Sequence, residues 1–373
     1  MNVKSAPLEE PNTCGYSLGF MVSTAGGPFM GGSMPTMTVL QFAARASRVA
    51  RMWPLAIALA MVASQLTPTP AQDLPTLRVG STFPGEEPKW LIVKRPELFK
   101  NVNHSYKIQW SVFQGTPLIS QALVANAVDC GTQAPISMAN AIAGGLQGYI
   151  LGALVDEQPG YFSVFWAVRG DSGIKSAADL KGKTVASTAF GGGIYYHMRL
   201  WLKQRGVDPD KDIKLVEIPF PLVEEALRSG RVDAGPFAQP WGTAALSKGG
   251  IAKLFSISEV QSPLVNVFEV CRKDFTDKNT AVIKAYMEDY KDAMAYALSH
   301  PDETRQVVSE VTKLPFNVLQ GFLLTKDDFY RPPTGRPNFA AIQKTWDIYL
   351  AEGVIKSPLK VTDFQRLDVT PSE

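Results

Sequence analysis

Gly182-Lys-Thr-Val-Ala-Ser-Thr-Ala-Phe-Gly-Gly-Gly-Ile-Tyr-Tyr-His-Met-Arg-Leu-Trp-Leu-Lys-Gln-Arg-Gly206 decides how the rest of the chain is read. Thr184 to Ala186 predicts a short buried strand, and Ser187 to Gly193 a turn rich in hydroxyls and glycines. Ile194 to Arg205 predicts a helix with Tyr195, Met198, Trp201 and Leu202 on one side and Gly206 placed to end it. A strand entering a helix through such a turn leaves backbone N–H groups free at the helix start. Those donors, with the positive end of the helix dipole, make a site for a small anion. The same residues also read as a plain strand-to-helix connection with Ser187 or Thr188 as the N-cap. A Gly-rich turn alone does not separate the two readings.

The chain has 373 residues, 45% hydrophobic and 19% charged, with a formal net charge of +2. This is ordinary globular composition with length for two domains, and the balanced charge gives no sign of a nucleic-acid partner. Residues 1–72 differ from the rest. Met1 to Gly32 is rich in Gly, Ser and Pro without periodicity, and reads as a disordered extension or an over-long start upstream of Met34 or Met37. Arg45, Arg48 and Arg51 then precede an apolar run, Trp53 to Ser64, too short to span a membrane as a mature helix. With the small, Pro-rich region around Ala71, that pattern predicts a secretory signal and a mature chain starting near Gln72; a hydrophobic core helix is the other reading. No cysteine lies close after the run, so a lipid anchor is not expected.

Beyond Gln72, strands alternate with helices. Strands are predicted at Leu77–Thr82, Tyr106–Val112, Val128–Gln133, Thr184–Ala186, Ile213–Ile218 and Val232–Phe237. Helices are predicted at Trp90–Phe99, Pro117–Ala127, Pro135–Ala143, Ile194–Arg205, Val223–Ser229 and Trp241–Lys248. The alternation implies mostly parallel sheets flanked by helices, an α/β class. Thr116 to Gly131 and Phe220 to Gly235 echo each other: loop, short helix, tight turn, then Val-Asp-x-Gly. Gly160–Arg169 and Leu264–Arg272 read as strands crossing between two such units, followed by helices at Lys278–Leu298, Pro301–Thr312, Pro315–Leu323 and Asn338–Glu352. The expected organisation is a first lobe from 73–168 and 265–373, with a second lobe, 169–264, inserted. Ligands of open parallel sheets bind beyond the carboxyl ends of the strands, so two facing sheets share one cleft. His104, His197 and His300 are scattered, without metal spacing.

Ile174-Lys-Ser-Ala-Ala-Asp-Leu-Lys-Gly-Lys-Thr-Val-Ala186 resembles the segment that opens the second lobe of periplasmic substrate-binding proteins of ABC transporters, in the nitrate, sulfonate and taurine subfamily. Gln114-Gly-Thr-Pro-Leu, Val128-Asp-Cys-Gly, Ala189-Phe-Gly-Gly-Gly, Glu225-Ala-Leu-Arg-Ser-Gly-Arg-Val-Asp-Ala and Gln239-Pro-Trp are similar too, in the family's order from about Leu77 to Glu352. The resemblance implies a two-lobed venus-flytrap fold of type II with two crossing hinge strands. It implies capture of a small anionic ligand, delivery to an ABC permease in the inner membrane, a periplasmic location, a monomer, no cofactor and no metal. Carried over, the ligand loops are Ser81, Thr82 and Phe83; Gln114, Gly115 and Thr116; Thr132, Gln133 and Ala134; Thr188, Phe190, Gly191, Gly192 and Gly193; and Gln239 with Trp241. Two features depart from the family: the first loop, Phe83-Pro-Gly-Glu-Glu-Pro-Lys89, and Gln239, where many members carry an acidic residue. The alternative is a small-metabolite enzyme on the same fold, of the kind that makes the thiamine pyrimidine; His197 reads as a structural helix residue, and as a base only if it faces the cleft.

Within that frame the anion's charged end is expected against the N–H groups of Phe190 to Gly193 and the hydroxyls of Ser187 and Thr188, since Gln114–Thr116, Thr132–Ala134 and Thr188–Gly193 hold no Lys or Arg. Phe83, Phe113, Phe190, Phe220, Phe237 and Trp241 offer aromatic surface for an apolar tail, with Phe113 and Phe237 expected in the core. Glu269 reads either as a partner for a ligand amine or as a structural partner of Arg272 or Lys273. The family's sheet order makes Cys130 and Cys271 neighbours, and two buried free thiols are expected there because adjacent-strand pairing strains a disulfide.

Overall fold

The computed structural model describes residues 73–82 and 85–372; the extension, the secretory pattern and Phe83 fall outside them. Ten strands are described: β1 (Thr76–Ser81), β2 (Lys107–Val112), β3 (Cys130–Gln133), β4 (Gly148–Glu157), β5 (Phe165–Arg169), β6 (Thr184–Ser187), β7 (Lys214–Glu217), β8 (Ala234–Phe237), β9 (Ile251–Ser256) and β10 (Leu264–Arg272). The α-helices are α1 (Glu87–Lys94), α2 (Thr116–Val124), α3 (Pro135–Ala143), α4 (Gly193–Lys203), α5 (Phe220–Arg228), α6 (Trp241–Ser247), α7 (Lys273–Lys278), α8 (Thr280–Ser299), α9 (Pro301–Thr312), α10 (Phe316–Gln320) and α11 (Phe339–Ala351).

The strands form two sheets, ordered β2-β1-β3-β10-β4 and β7-β6-β8-β5-β9. In the first, β1 pairs parallel with β2 and β3, and β10 pairs antiparallel with β3 and β4. In the second, β6 pairs parallel with β7 and β8, and β5 pairs antiparallel with β8 and β9. Each sheet therefore has one reversed strand, in the fourth place. The sheets are mixed, and the mostly parallel expectation holds for the other four strands of each.

The chain passes between the sheets twice, from β4 to β5 and from β9 to β10. Two strands were absent from the sequence expectations. The run Gly148–Glu157 is buried from end to end and has no alternation, so its period cannot mark it as a strand. Gly152 is required there: a Cβ would stand 2.9 Å from the Tyr290 ring of α8. β9 lies on the edge of the second sheet.

The expectation of two free thiols at Cys130 and Cys271 is corrected. The two residues are direct partners across β3 and β10 and are disulfide-bonded, with Cα atoms 4.0 Å apart. The Arg272 N–H donates to the Asp129 carbonyl at 2.8 Å. The next pair along is therefore a non-hydrogen-bonded one, where antiparallel backbones run closest and side chains converge.

Beside the disulfide lies a buried ionic cluster. Lys89 Nζ reaches Glu86 at 2.6 Å and Glu269 at 2.9 Å, all three side chains fully buried. It also donates to the Gly80 carbonyl at 3.0 Å and to the Thr132 hydroxyl. Tyr286 donates to Glu269 at 3.3 Å. Glu269 thus pairs with Lys89 rather than with Arg272 or Lys273. Arg272 instead grips Asp274 at 2.9 Å and lies 3.6 Å from Asp129.

Candidate functional site

A cavity of about 510 Å³ is lined by loops of both sheets and by the C-terminal helices. Of the residues singled out in the sequence, it gathers Thr82, Gln114, Gly115, Thr116, Ala134, Thr188, Gly192, Gly193, Phe220, Gln239 and Trp241. Phe220 and Trp241 stack with ring centroids 5.7 Å apart. Phe113, expected in the core, lines the cavity; Phe237 is a core residue stacked on Phe165.

Other candidates do not reach the cavity. Ser81 is buried and accepts from the Trp110 indole. Thr132 belongs to the Lys89 cluster, and Gln133 accepts from Ser120 at 2.6 Å. Ser187 is fully buried, its hydroxyl turned to the Thr188 carbonyl. Phe190 is exposed and lies against Tyr195. Gly191 is not among the lining residues. Glu269, fully buried against Lys89, is corrected from a cleft residue to a structural one.

The turn after β6 is tightly built. Ala189 and Gly191 have φ of 31° and 87°. A Cβ on Gly115, whose own φ is 110°, would lie 3.0 Å from the Ala189 Cβ, so both the backbone conformation and the close approach of the two loops favour glycine at 115. The amides are not all available as expected. Phe190 N–H donates to the Glu217 carboxylate of β7 at 3.0 Å, and Gly192 N–H to the Ala189 carbonyl at 2.8 Å. Gly193 and Ile194 also line the cavity, and amides of a helix's first turn have no intrahelical partner. Gln239 has its side chain committed, donating to Thr243 at 2.7 Å and to the Asp327 carbonyl at 2.6 Å.

The cavity's ionic group was not anticipated. Arg331 donates to Glu87 through Nε at 3.1 Å and Nη2 at 3.0 Å, and Nη1 reaches Asp328 at 2.8 Å. All three residues line the cavity and are nearly fully buried. Burial works against the Arg331 charge, but Asp328 and Glu87 more than offset it and hold its pKa above the ordinary value. Burial pushes the Asp328 carboxyl up in spite of Arg331. Glu87 and Arg331 are 244 residues apart, a pairing that no local pattern announces.

Where the chain leaves β4 for β5, burial raises the Asp156 carboxyl to about 7 and the Glu157 carboxyl to about 8. Glu157 accepts from the Ser163 hydroxyl and from Asn266 of β10 at 3.2 Å, so one carboxyl group ties the β4–β5 connection to the first residues of β10. His197 donates through Nδ1 to the Gly193 carbonyl at 2.8 Å, and burial lowers its pKa to about 4. It is a neutral helix residue outside the cavity lining, not a base poised in the cleft.

Two mixed sheets, each with one reversed strand and with a cavity walled by both, define the two-lobed periplasmic-binding-protein fold. The chain belongs to the NMT1-like family, whose profile matches residues 71–313. A protein of Escherichia coli (strain K12) named for binding aliphatic sulfonates is 27% identical over 74% of this chain and 84% of its own. The taurine-binding periplasmic protein of the same organism is 24% identical over 56% of this chain and 62% of its own. The solved alkanesulfonate-binding protein SsuA from Xanthomonas axonopodis pv. citri, bound to MOPS, shares the fold at a TM-score of 0.64 with 21% identity, over 78% of this chain and 98% of that one.

Proposed function

We propose that this protein is the solute-binding component of an ABC importer, acting as a periplasmic monomer that captures a small organic anion, a sulfonate, and presents it to the permease. The observation that carries the reading is the cavity walled by both sheets, whose lining joins the first turn of α4, Gln114, Thr188 and Asn266 to apolar and aromatic side chains. Helix N-terminal amides and neutral donors favour an anion without a free Lys or Arg. The buried disulfide suits an oxidising compartment, and among the described residues no helix is long and apolar enough to cross a membrane. The test is thermal unfolding of the chain from residue 72 onward against a panel of sulfonates, taurine and nitrate. A ligand at 100 times its dissociation constant stabilises by about 2.7 kcal/mol, worth several degrees. A panel of millimolar sulfonates that leaves the midpoint unmoved sinks the reading.

A further inference from the structure

Residues 323–331 lie outside the helices and the two sheets, yet they are held from both sides of the cavity. On one side the partners belong with the first sheet. Arg305 of α9 donates through Nη2 to the Leu323 carbonyl at 2.7 Å. Tyr330 and Asp156 of β4 exchange backbone hydrogen bonds at 2.9 and 3.1 Å. Arg331 holds Glu87 of α1. On the other side, two successive carbonyls are taken. That of Asp328 accepts from the Phe162 N–H at 3.0 Å, and the Phe162 and Phe329 rings meet at 5.1 Å between centroids. That of Asp327 accepts from Gln239 Nε2 at 2.6 Å, just beyond β8 of the second sheet. Leu323, Asp328, Phe329 and Arg331 line the cavity, as do Ala238, Gln239 and Pro240. The Gln239 bond therefore joins a wall built on the first sheet to a wall built on the second.

The two contacts would respond differently to a rotation between the sheets. Phe162 sits in the β4–β5 connection, close to any pivot there. Gln239 follows β8 and would be carried away from the segment. The Gln239 bond is also made to open without leaving a buried group unpaired. Gln239 is buried, but Asp327 and Thr243 are exposed. When the bond opens, water takes the Asp327 carbonyl, while Gln239 keeps its donation to the Thr243 hydroxyl at 2.7 Å and its acceptance from the Thr243 N–H at 3.3 Å. The contact needs an amide. A carboxylate at 239 could still accept from Thr243, but it has no hydrogen to give a carbonyl.

We propose that residues 323–331 are a strap across the cavity and that Gln239 is its latch, holding the two lobes together in the unloaded protein. Solute enters as this bond opens, and Gln239 sets the ratio of open to closed molecules. The proposal rests on the cavity as the solute site, not on the class of solute. One net hydrogen bond shifts such a ratio about two- to tenfold.

Hydrogen exchange of the protein without solute, read by mass spectrometry, tests this in the wild type, Gln239→Glu and Gln239→Met. Exchange limited by an opening equilibrium scales with the open population. Both variants are expected to speed exchange about two- to tenfold at residues 114–116 and 188–194, cavity loops whose amide bonds run to Thr82, Glu217 and Ala189 and not to Gln239 or the strap. A purely local role would speed only residues 239–243 and 324–331. That result, or no change anywhere, overturns the proposal. Gln239→Met buries no charge, and decides if Gln239→Glu fails to fold. With no solute added, the outcome does not depend on the sulfonate reading, whose own test is the ligand panel.

Discussion

At the residue scale, two buried groups carry more of the architecture than their number suggests. Burial opposes the charge on Lys89, but Glu269 and Glu86 outweigh it and hold its pKa above the ordinary value. The Glu269 carboxyl is itself pushed up to about 7 by burial. Glu86 also accepts from the Thr82 N–H at 3.0 Å, so the cluster ties the residue after β1 to the start of α1. Lys89→Met leaves buried carboxylates without their cation, and should cost about 3–5 kcal/mol, read as a lower urea midpoint with unchanged slope; an unchanged midpoint would show that the cluster is dispensable. Glu157 gives a pH signature. Its folded pKa, about 8, lies above the ordinary 4.5, so the native state holds the extra proton. Stability from this group is complete below the ordinary value and is lost as pH climbs toward 8, by up to about 1.4 kcal/mol per pH unit. Asp156, raised from 3.8 to about 7, adds in the same direction over a lower window. Glu157→Gln should flatten the fall of the melting temperature between pH 5 and 8. A wild-type slope in the variant would place the proton elsewhere.

At the scale of elements, the start of α4 bears the functional claim. Gly193 is the first helical residue, and Gly192 before it is extended, with φ −84° and ψ 170°. Pro is tolerated at a first helical position and wants an extended residue ahead of it. Gly193→Pro should therefore fold while deleting one amide from the cavity wall. Losing a hydrogen bond to a charged ligand costs about 1.5–3 kcal/mol, so sulfonate affinity should drop roughly ten- to a hundredfold in a titration; retained affinity would move the anion away from α4. Local chemistry made several elements readable. α3 and α9 match their expected spans, each opening on a proline, Pro135 and Pro301, and β10 matches because Val265, Val267, Phe268 and Val270 favour a strand. β4 was not readable, since a continuous apolar run has no period. The site was half readable for a related reason. A Gly-rich turn before a helix is a local pattern. That Glu217 of a neighbouring strand would take the Phe190 amide, or that Glu87 would meet Arg331, depends on contacts made only after the sheets assemble.

For the whole molecule, two sheets of the same strand order are joined by two connections, and a covalent bond ties β3 to β10 within the first sheet. Thiol titration of the denatured, unreduced chain from residue 72 onward should find no free group; two would restore the original expectation for Cys130 and Cys271. Reduction should lower stability by about 2–5 kcal/mol, because the bond joins residues 141 apart. The same bond makes the polypeptide a ring with two tails. All of β4 to β9, the entire second sheet included, lies inside that ring. A single protease cut between residues 131 and 270 would therefore open the ring without releasing a fragment. The nicked protein would run as one species on a non-reducing gel and fall into two pieces only when a thiol is added.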